Sequence, residues 1–509
     1  MPAACKNLKP SDRAFLAAFR KWKSPAPMPD ILRDLQSEQE LADKCRRHPK
    51  LIAQARAELR KPLDRSLDWD TLHWPVFNRV ANASYLRLFT GDLKPMRAAI
   101  DAFDALEACP RPHFTFSTCL GVLDMDLRTA HTAHCLALMR SAFGPALPDD
   151  VQRRMERLAV ERILAPGLHA ERTRQYAWMH SDANWRMILC GGFAVAGMAF
   201  ADVFAEYRAL IEYGIEAMLV CAATGDAAGS WNEGPGYWDY GFGMSAVFMH
   251  ALRVFTGGTV DLFTHPFYRR TGDFRVAMQV RPGVLWNWSD CGKAANTSTA
   301  LVAFARALAN PAYQHVVERG GLQSLEQLYY YAPKLAARAP GPRERTRLFP
   351  GVGALVWRGG PSDTDSFIGV KAGNLIHYNH HCHVDMGSVV VHAAGRELLC
   401  ELDHFPYPHE GVKDPRNPDN KPGFYDMETR RWLNADFDQR VAEGHNGLML
   451  EGAYPAWRLG VTAKFLKTVD TPRCKVAVVD STPFYTPLAT RVRRYVVHLP
   501  PDLLLLVDD

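Results

Sequence analysis

No run of apolar residues in this 509-residue chain is long enough to span a bilayer. Nor does the first stretch, Met1-Pro-Ala-Ala-Cys-Lys-Asn-Leu-Lys-Pro-Ser-Asp12, carry the apolar centre of a secretory signal. Charge of one sign is missing too: 60 basic residues face 55 acidic ones, a formal net of +5. So balanced a chain is not expected to bind nucleic acid or a membrane surface, although a local basic cleft for an acidic ligand stays open. A disulfide framework is equally unexpected. The 11 cysteines are odd in number and lie in apolar contexts such as Leu189-Cys190-Gly191 and Leu219-Val220-Cys221, as reduced thiols of a cytoplasmic protein would. A periplasmic site would follow if a signal had been lost. The chain also lacks a fixed repeat length, which argues against a regular solenoid.

What is present is too long for one core, so two or three domains are expected. Residues 1–84 read as a mostly helical segment that packs on the next domain, with Trp69, Trp74 and Phe77 near its end. Over 85–335 the helical period dominates, in runs such as Met125–Phe143, Trp185–Phe204 and Gly241–Phe255. Several runs are apolar on more than one side, Ala194–Phe200 for example, which suits a double-layered ring of helical hairpins, an α/α toroid. Residues 336–349 are Pro- and Arg-rich without periodicity and read as a linker. From 350 to 509 short alternating runs predict an antiparallel β-sandwich. Residues 405–430, rich in Pro, Asp, Asn and Lys, read as a long excursion, and long loops in compact domains usually carry function. The final stretch stops inside what reads as a hairpin, so the sandwich is expected to be incomplete at Asp509.

Three stretches of the helical domain are unusual for helix interiors. His180-Ser-Asp182-Ala-Asn184-Trp185-Arg186 sits where a helix should begin, so Asp182 is either a cap or part of a site. Ser230-Trp-Asn-Glu233-Gly-Pro-Gly-Tyr237-Trp238-Asp239-Tyr240-Gly-Phe-Gly243 reads as a Gly-rich loop set with aromatic rings. Such rings suit a sugar-binding cleft, and a tyrosine can move a proton, but a packed structural loop has the same composition. Trp286-Asn-Trp-Ser-Asp290-Cys-Gly292 either lines the same cleft or caps the next helix.

The strongest signal is His377-Tyr-Asn-His-His381-Cys-His383-Val-Asp385-Met-Gly-Ser388, with four of the 19 histidines between 377 and 383. Flanked by alternating apolar residues, it reads as strand, turn, strand, with His381, His383 and Asp385 on one face. Three polar groups beside β-branched core residues are costly to bury without partners, which favours a site over a solvated strand face. Glu401-Leu-Asp403-His404 and Gly444-His445-Asn446 follow. His383, one acidic residue and His445 would make a three-ligand zinc set of nitrogen and oxygen donors.

Taken in order, Asn184-Trp185 with Cys190-Gly-Gly192, Glu233-Gly-Pro-Gly-Tyr-Trp-Asp-Tyr240-Gly, Ser289-Asp-Cys-Gly292, His381-x-His383-x-Asp385-x-Gly-Ser388 and Gly444-His-Asn446 resemble the heparinase II/III-like polysaccharide lyases. The resemblance implies an α/α toroid followed by an antiparallel β-sandwich, with a cleft between them. It implies β-elimination at a uronic acid residue of an acidic oligo- or polysaccharide. In that scheme Asn184 and His381 neutralise the sugar carboxylate, and Tyr240 transfers the proton. Trp185, Glu233, Tyr237, Trp238 and Asp290 are the expected substrate-binding residues. A structural zinc on His383, Glu401 and His445 is implied, and no organic cofactor. Two departures stand out: the second zinc ligand of the family is usually Asp, where this chain has Glu401 with Asp403 two residues on, and Trp185 replaces the His that follows the key Asn in several members acting on alginate and heparin.

Two other readings compete. A glycoside hydrolase on the same scaffold would need two carboxylates across the bond, with Asp182, Glu233, Asp239 and Asp290 as candidates. A non-catalytic glycan-binding protein would keep the fold without turnover.

Overall fold

The computed structural model describes residues 8–24, 36–115, 117–118, 121–122, 125–341, 344–374, 381–402, 425–426, 431–432, 444–450, 461–501 and 503–509. His377, His380, Asp403, His404 and most of the 405–430 excursion lie outside the described residues.

Fifteen helices come first: α1 (Pro10–Lys21), α2 (Glu38–Arg47), α3 (Pro49–Arg60), α4 (Trp69–Thr90), α5 (Met96–Glu107), α6 (Leu127–Phe143), α7 (Asp149–Ala159), α8 (Ala165–Thr173), α9 (Asn184–Ala199), α10 (Tyr207–Thr224), α11 (Gly234–Phe255), α12 (Thr271–Met278), α13 (Thr299–Ala307), α14 (Pro311–Gly320) and α15 (Leu325–Tyr330). Two small hairpins interrupt them, β1 (Ser117–Thr118) with β2 (Gly121–Val122), and β3 (Gln279–Arg281) with β4 (Val284–Leu285). Helix α9 lies in the middle, against α6, α10 and α11. That position explains why Met187–Met198 is buried all round: a helix packed on several sides needs no polar face. The division drawn at 84/85 falls inside α4, which packs on α5 and α6 and so belongs to the helical domain.

Beyond the linker come two five-stranded antiparallel sheets. The first contains β5 (Thr346–Phe349), β6 (Ala354–Arg358), β7 (Phe367–Lys371), β9 (Val389–Ala393) and β10 (Arg396–Leu399), in the order β10-β9-β7-β6-β5. The second contains β8 (Gly373–Asn374), β13 (Thr462–Asp470), β14 (Lys475–Asp480), β15 (Arg493–Leu499) and β16 (Leu503–Asp508), in the order β16-β15-β14-β13-β8. A two-residue pair, β11 (Tyr425–Asp426) with β12 (Arg431–Trp432), lies apart. The central strands of the first sheet, β6, β7 and β9, are buried on both faces. Leu355, Trp357, Ile368 and Val370 meet Ala477, Val479 and Val496 of the second sheet, while Ala354, Val356, Phe367 and Val390 join the core of the helical domain. That double burial accounts for the continuous apolar run Val389-Val390-Val391 in an antiparallel sheet, and it fixes the β domain against the helices. The architecture is the expected α/α toroid followed by an antiparallel β-sandwich. No helix of the described residues is long and apolar enough to cross a membrane.

Candidate active site between the two domains

Two local expectations need correction. The stretch 230–243 is not a loop throughout: α11 starts at Gly234. Gly234 takes a left-handed φ of +83°, Pro235 provides a preset first helical turn, and Gly236 and Gly241 are packing positions, whereas a Cβ on Gly243 would meet nothing within 4 Å. A Cβ on Gly241 would lie 2.6 Å from the Met187 methyl and 3.1 Å from the Asn184 Cβ, so glycine there lets α11 press onto the start of α9. His381–Ser388, in turn, is a loop of turns and bends rather than a strand, and pairing resumes only at Val389. Glycine 387, at φ +85°, turns the chain there. His381 and His383 still face one partner, Asp290, but Asp385 does not join them and lies 3.5 Å from Lys371 Nζ instead.

The helical wall is built on Glu233. Its carboxylate accepts the backbone N–H of Asn184 at 2.7 Å and the side-chain amide of Asn184 at 2.7 Å. Helix α9 is therefore capped from α11 and not by Asp182; Ala183 is the N-cap residue and makes no side-chain cap bond. Glu233 and Asn184 are both buried, and burial pushes the Glu233 carboxyl above its usual range against the opposing charge of His381 and the Asn184 hydrogen bonds. Half-buried Trp185 follows on the first turn. One turn into α11, the Tyr237 ring stacks on His381 with centroids 3.5 Å apart. Tyr240 turns its hydroxyl to His131 Nε2 of α6 at 3.0 Å. Burial raises the Tyr240 phenol, Tyr237 and Asp126 reinforce the shift, and the nearby Arg128 opposes it.

The β wall is held by Asp290, which the helical domain supplies between β4 and α13. The turn 286–292 is pinned to the histidine loop, because Ser289 Oγ and Asp290 N both donate to the His381 carbonyl. The Asp290 carboxylate then accepts from His381 Nδ1 at 2.9 Å and from His383 Nε2 at 2.8 Å. The other nitrogen of His381, Nε2, lies 3.5 Å from Glu233 Oε1, where the two walls meet. Asn184, Tyr237, Tyr240 and His381 are thus brought together at the junction of the domains.

Three expected substrate contacts are reassigned by burial. Trp238 is fully buried, donates to Thr271 Oγ1 at 2.8 Å and packs on Phe242 and Phe304; it belongs to the core. Glu233 and Asp290 hold Asn184 and the histidines in place and do not line an open surface. His131 and Arg128 escaped sequence reading. Their only signal was polar residues inside the otherwise apolar helix Leu127–Phe143, of the kind that usually means a satisfied core histidine.

The expected zinc donors are neighbours. His445 Nδ1 bonds Glu401 Oε2, Ser388 Oγ donates to Glu401 Oε1, and the His383 and His445 rings lie 5.2 Å apart. Two imidazoles and a carboxylate suit zinc in donor type, and His445 Nε2 is buried without a hydrogen-bond partner. Convergence is lacking, however: no group of three His, Cys, Asp or Glu among the described residues is arranged to hold an ion. The Glu401 carboxylate is already taken up by His445 and Ser388.

No protein-family model matches the sequence, and no curated protein matches it. Solved structures do. Heparan sulfate lyase HepC from Pedobacter heparinus matches at 17% identity and a TM-score of 0.56, over 99% of this chain and 75% of that one. Heparinase III matches at 14% identity and a TM-score of 0.58, over 98% of this chain and 74% of that one. A mutant of the Pedobacter heparinus enzyme matches at 16% and 0.57. At such identities the likeness establishes architecture: the chain shares the toroid-plus-sandwich fold of heparinase III and the heparan sulfate lyase.

Proposed function

We propose that this protein is a polysaccharide or oligosaccharide lyase that cleaves a uronate-containing glycan by β-elimination. One observation carries the reading: an amide, two phenols and an imidazole from two domains converge at one seam, each side held by its own buried carboxylate. The fold shared with lyases supports it.

In β-elimination the proton beside the sugar carboxylate is removed, the electron pair forms the new ring double bond, and the glycosidic oxygen leaves with a proton. The carboxylate must take on further negative charge, so donors aimed at it lower the barrier most. Asn184 and His381 fill that role, oriented by Glu233 and Asp290. Tyr240 handles the proton. Its raised phenol stays protonated at rest, as an acid to the leaving oxygen requires. Acting as base as well would need the Arg128 charge to stabilise the phenolate. Tyr237, stacked on His381, fixes the ring and bounds the sugar site.

A glycoside hydrolase is less well supported. Asn184 occupies Glu233, two histidines occupy Asp290, and Arg275 holds Asp239 through contacts of 2.8 and 2.9 Å. That leaves these three without an opposed, open pair.

The test is a screen of uronic-acid polymers and oligomers for ultraviolet absorbance of the unsaturated product. Turnover with that absorbance supports the reading; a saturated reducing-end product, or none across the panel, removes it. A zinc on His383, Glu401 and His445 belongs to the proposal as a structural ion only, and metal analysis of purified protein, with chelator and melting temperature as readout, checks it.

A further inference from the structure

A second cavity, of about 390 Å³, opens where the linker crosses between the domains. It shares no residue with the cleft. Four arginines line it: Arg338 from the linker, Arg345 and Arg347 at β5, and Arg358 on β6. Only two carboxylates do, Asp273 of α12 and Glu344. Glu344 serves two arginines loosely, at 3.6 Å from Arg338 and 3.9 Å from Arg347. Asp273 accepts the Tyr313 hydroxyl at 2.9 Å. Among the described residues Arg345 and Arg358 form no ion pair. Arg358 donates to the carbonyls of Val280 at 3.2 Å and Ala277 at 3.1 Å, and Arg345 to Gly359 at 3.2 Å. The Arg345 Nε is buried with no acceptor.

The lining therefore carries two more positive charges than negative ones. Excess charge of this kind in a concave site calls for an anion. Helix α14 adds the positive end of its dipole; its own first N–H groups are already capped by Asn310, so it contributes field rather than contacts. Guanidinium forks match tetrahedral oxyanions bidentately, and two excess charges match a dianion better than chloride or a single carboxylate. The volume exceeds that of a bare ion and falls in the ordinary range of small-ligand sites, roughly 300–1,000 Å³, which leaves room for a sugar carrying the anion.

We propose that this cavity binds a phosphate or sulfate group, either free or as the ester of a sugar, between Arg338, Arg345 and Arg347. Both domains supply lining residues, so occupancy ties the β-sandwich to the toroid and raises the melting temperature. The proposal does not rest on the lyase reading.

Calorimetric titration and thermal melts of the full chain test it, with sodium phosphate, sodium sulfate, glucosamine 6-phosphate and glucosamine 6-sulfate against sodium chloride at matched ionic strength. Saturable binding of the oxyanions and not of chloride is expected, with a rise in melting temperature. Tighter binding of the sugar esters than of the bare ions identifies an ester ligand; equal binding identifies the free ion. Arg345→Gln and Arg347→Gln should each weaken binding by about tenfold or more, as loss of a charged hydrogen bond does. Should one variant fail to fold, the other carries the comparison. Chloride acting as well as phosphate and sulfate, no saturable binding by the wild type, or unchanged affinity in a folded variant overturns the proposal.

Discussion

The two walls of the cleft use histidine in opposite ways. In the toroid, His131 packs among His73, Trp74 and Phe77, and among the described residues no carboxylate pairs with its ring. Burial, aided by His134 and Arg128, drives it down to about 3, and burial drives His73 down to about 2, so both stay neutral. In the sandwich, His381 and His383 share Asp290, and His445 is paired with Glu401. Burial would lower His445, but the Glu401 charge and hydrogen bond outweigh it and hold it above its usual range. The residue type is the same, and a neighbouring carboxylate separates His445, held above its usual range, from the neutral His131.

Several changes would break or sharpen that contrast. The largest effects belong to the groups proposed to face substrate: His381→Ala and Tyr240→Phe should each lower turnover by about 10²–10⁴-fold, with circular dichroism unchanged. Full activity in Tyr240→Phe would remove the phenol from proton transfer. Asn184→Ala should cost about 10²–10³-fold, as loss of a preorganised donor does. Glu233→Gln should cost less, because a neutral amide oxygen still accepts from Asn184; the reverse ranking would favour the hydrolase.

The neutral histidines predict acid sensitivity. Their folded values, about 3 for His131 and about 4 for His134, lie below the ordinary value. Between ~6.5 and those values the unfolded chain binds more protons, so stability is complete above ~6.5 and falls on acidification, by up to ~1.4 kcal/mol per pH unit for each histidine. His134→Leu should flatten the dependence of melting temperature on pH over that window; an unchanged slope would deny the histidine its part. The smallest effect concerns Trp238. Trp238→Phe should cost about 0.5–1.5 kcal/mol in chemical denaturation through the lost Thr271 bond, with KM unchanged. A large rise in KM would return Trp238 to the substrate site.

Much of this was legible in the residues. The switch from helical to alternating period at 336–349 separates the helices from the antiparallel sheets, and the crowding of histidines at 377–383 pointed to a candidate site, of which His381 and His383 lie against Asp290. The helix hidden in 234–243 was not legible, because glycine ordinarily opposes helix, and only the close approach of α9 to Gly241 explains it. Nor does residue type tell a carboxylate that holds an amide or an imidazole from one that touches a sugar, so the supporting positions of Glu233 and Asp290 were not legible. His131 and Arg128 were invisible for a related reason: inside an apolar helix, nothing local says that a distant phenol will face them.

The central claim is that Asn184 and His381, from different domains, act on one sugar carboxylate. A double-mutant cycle on kcat/KM with Asn184→Ala and His381→Ala measures it directly, on whichever uronide the screen selects. The account predicts strong non-additivity, the double variant losing little more than the worse single one. Losses that multiply would mean that the two residues act independently and that the walls do not close on a common group.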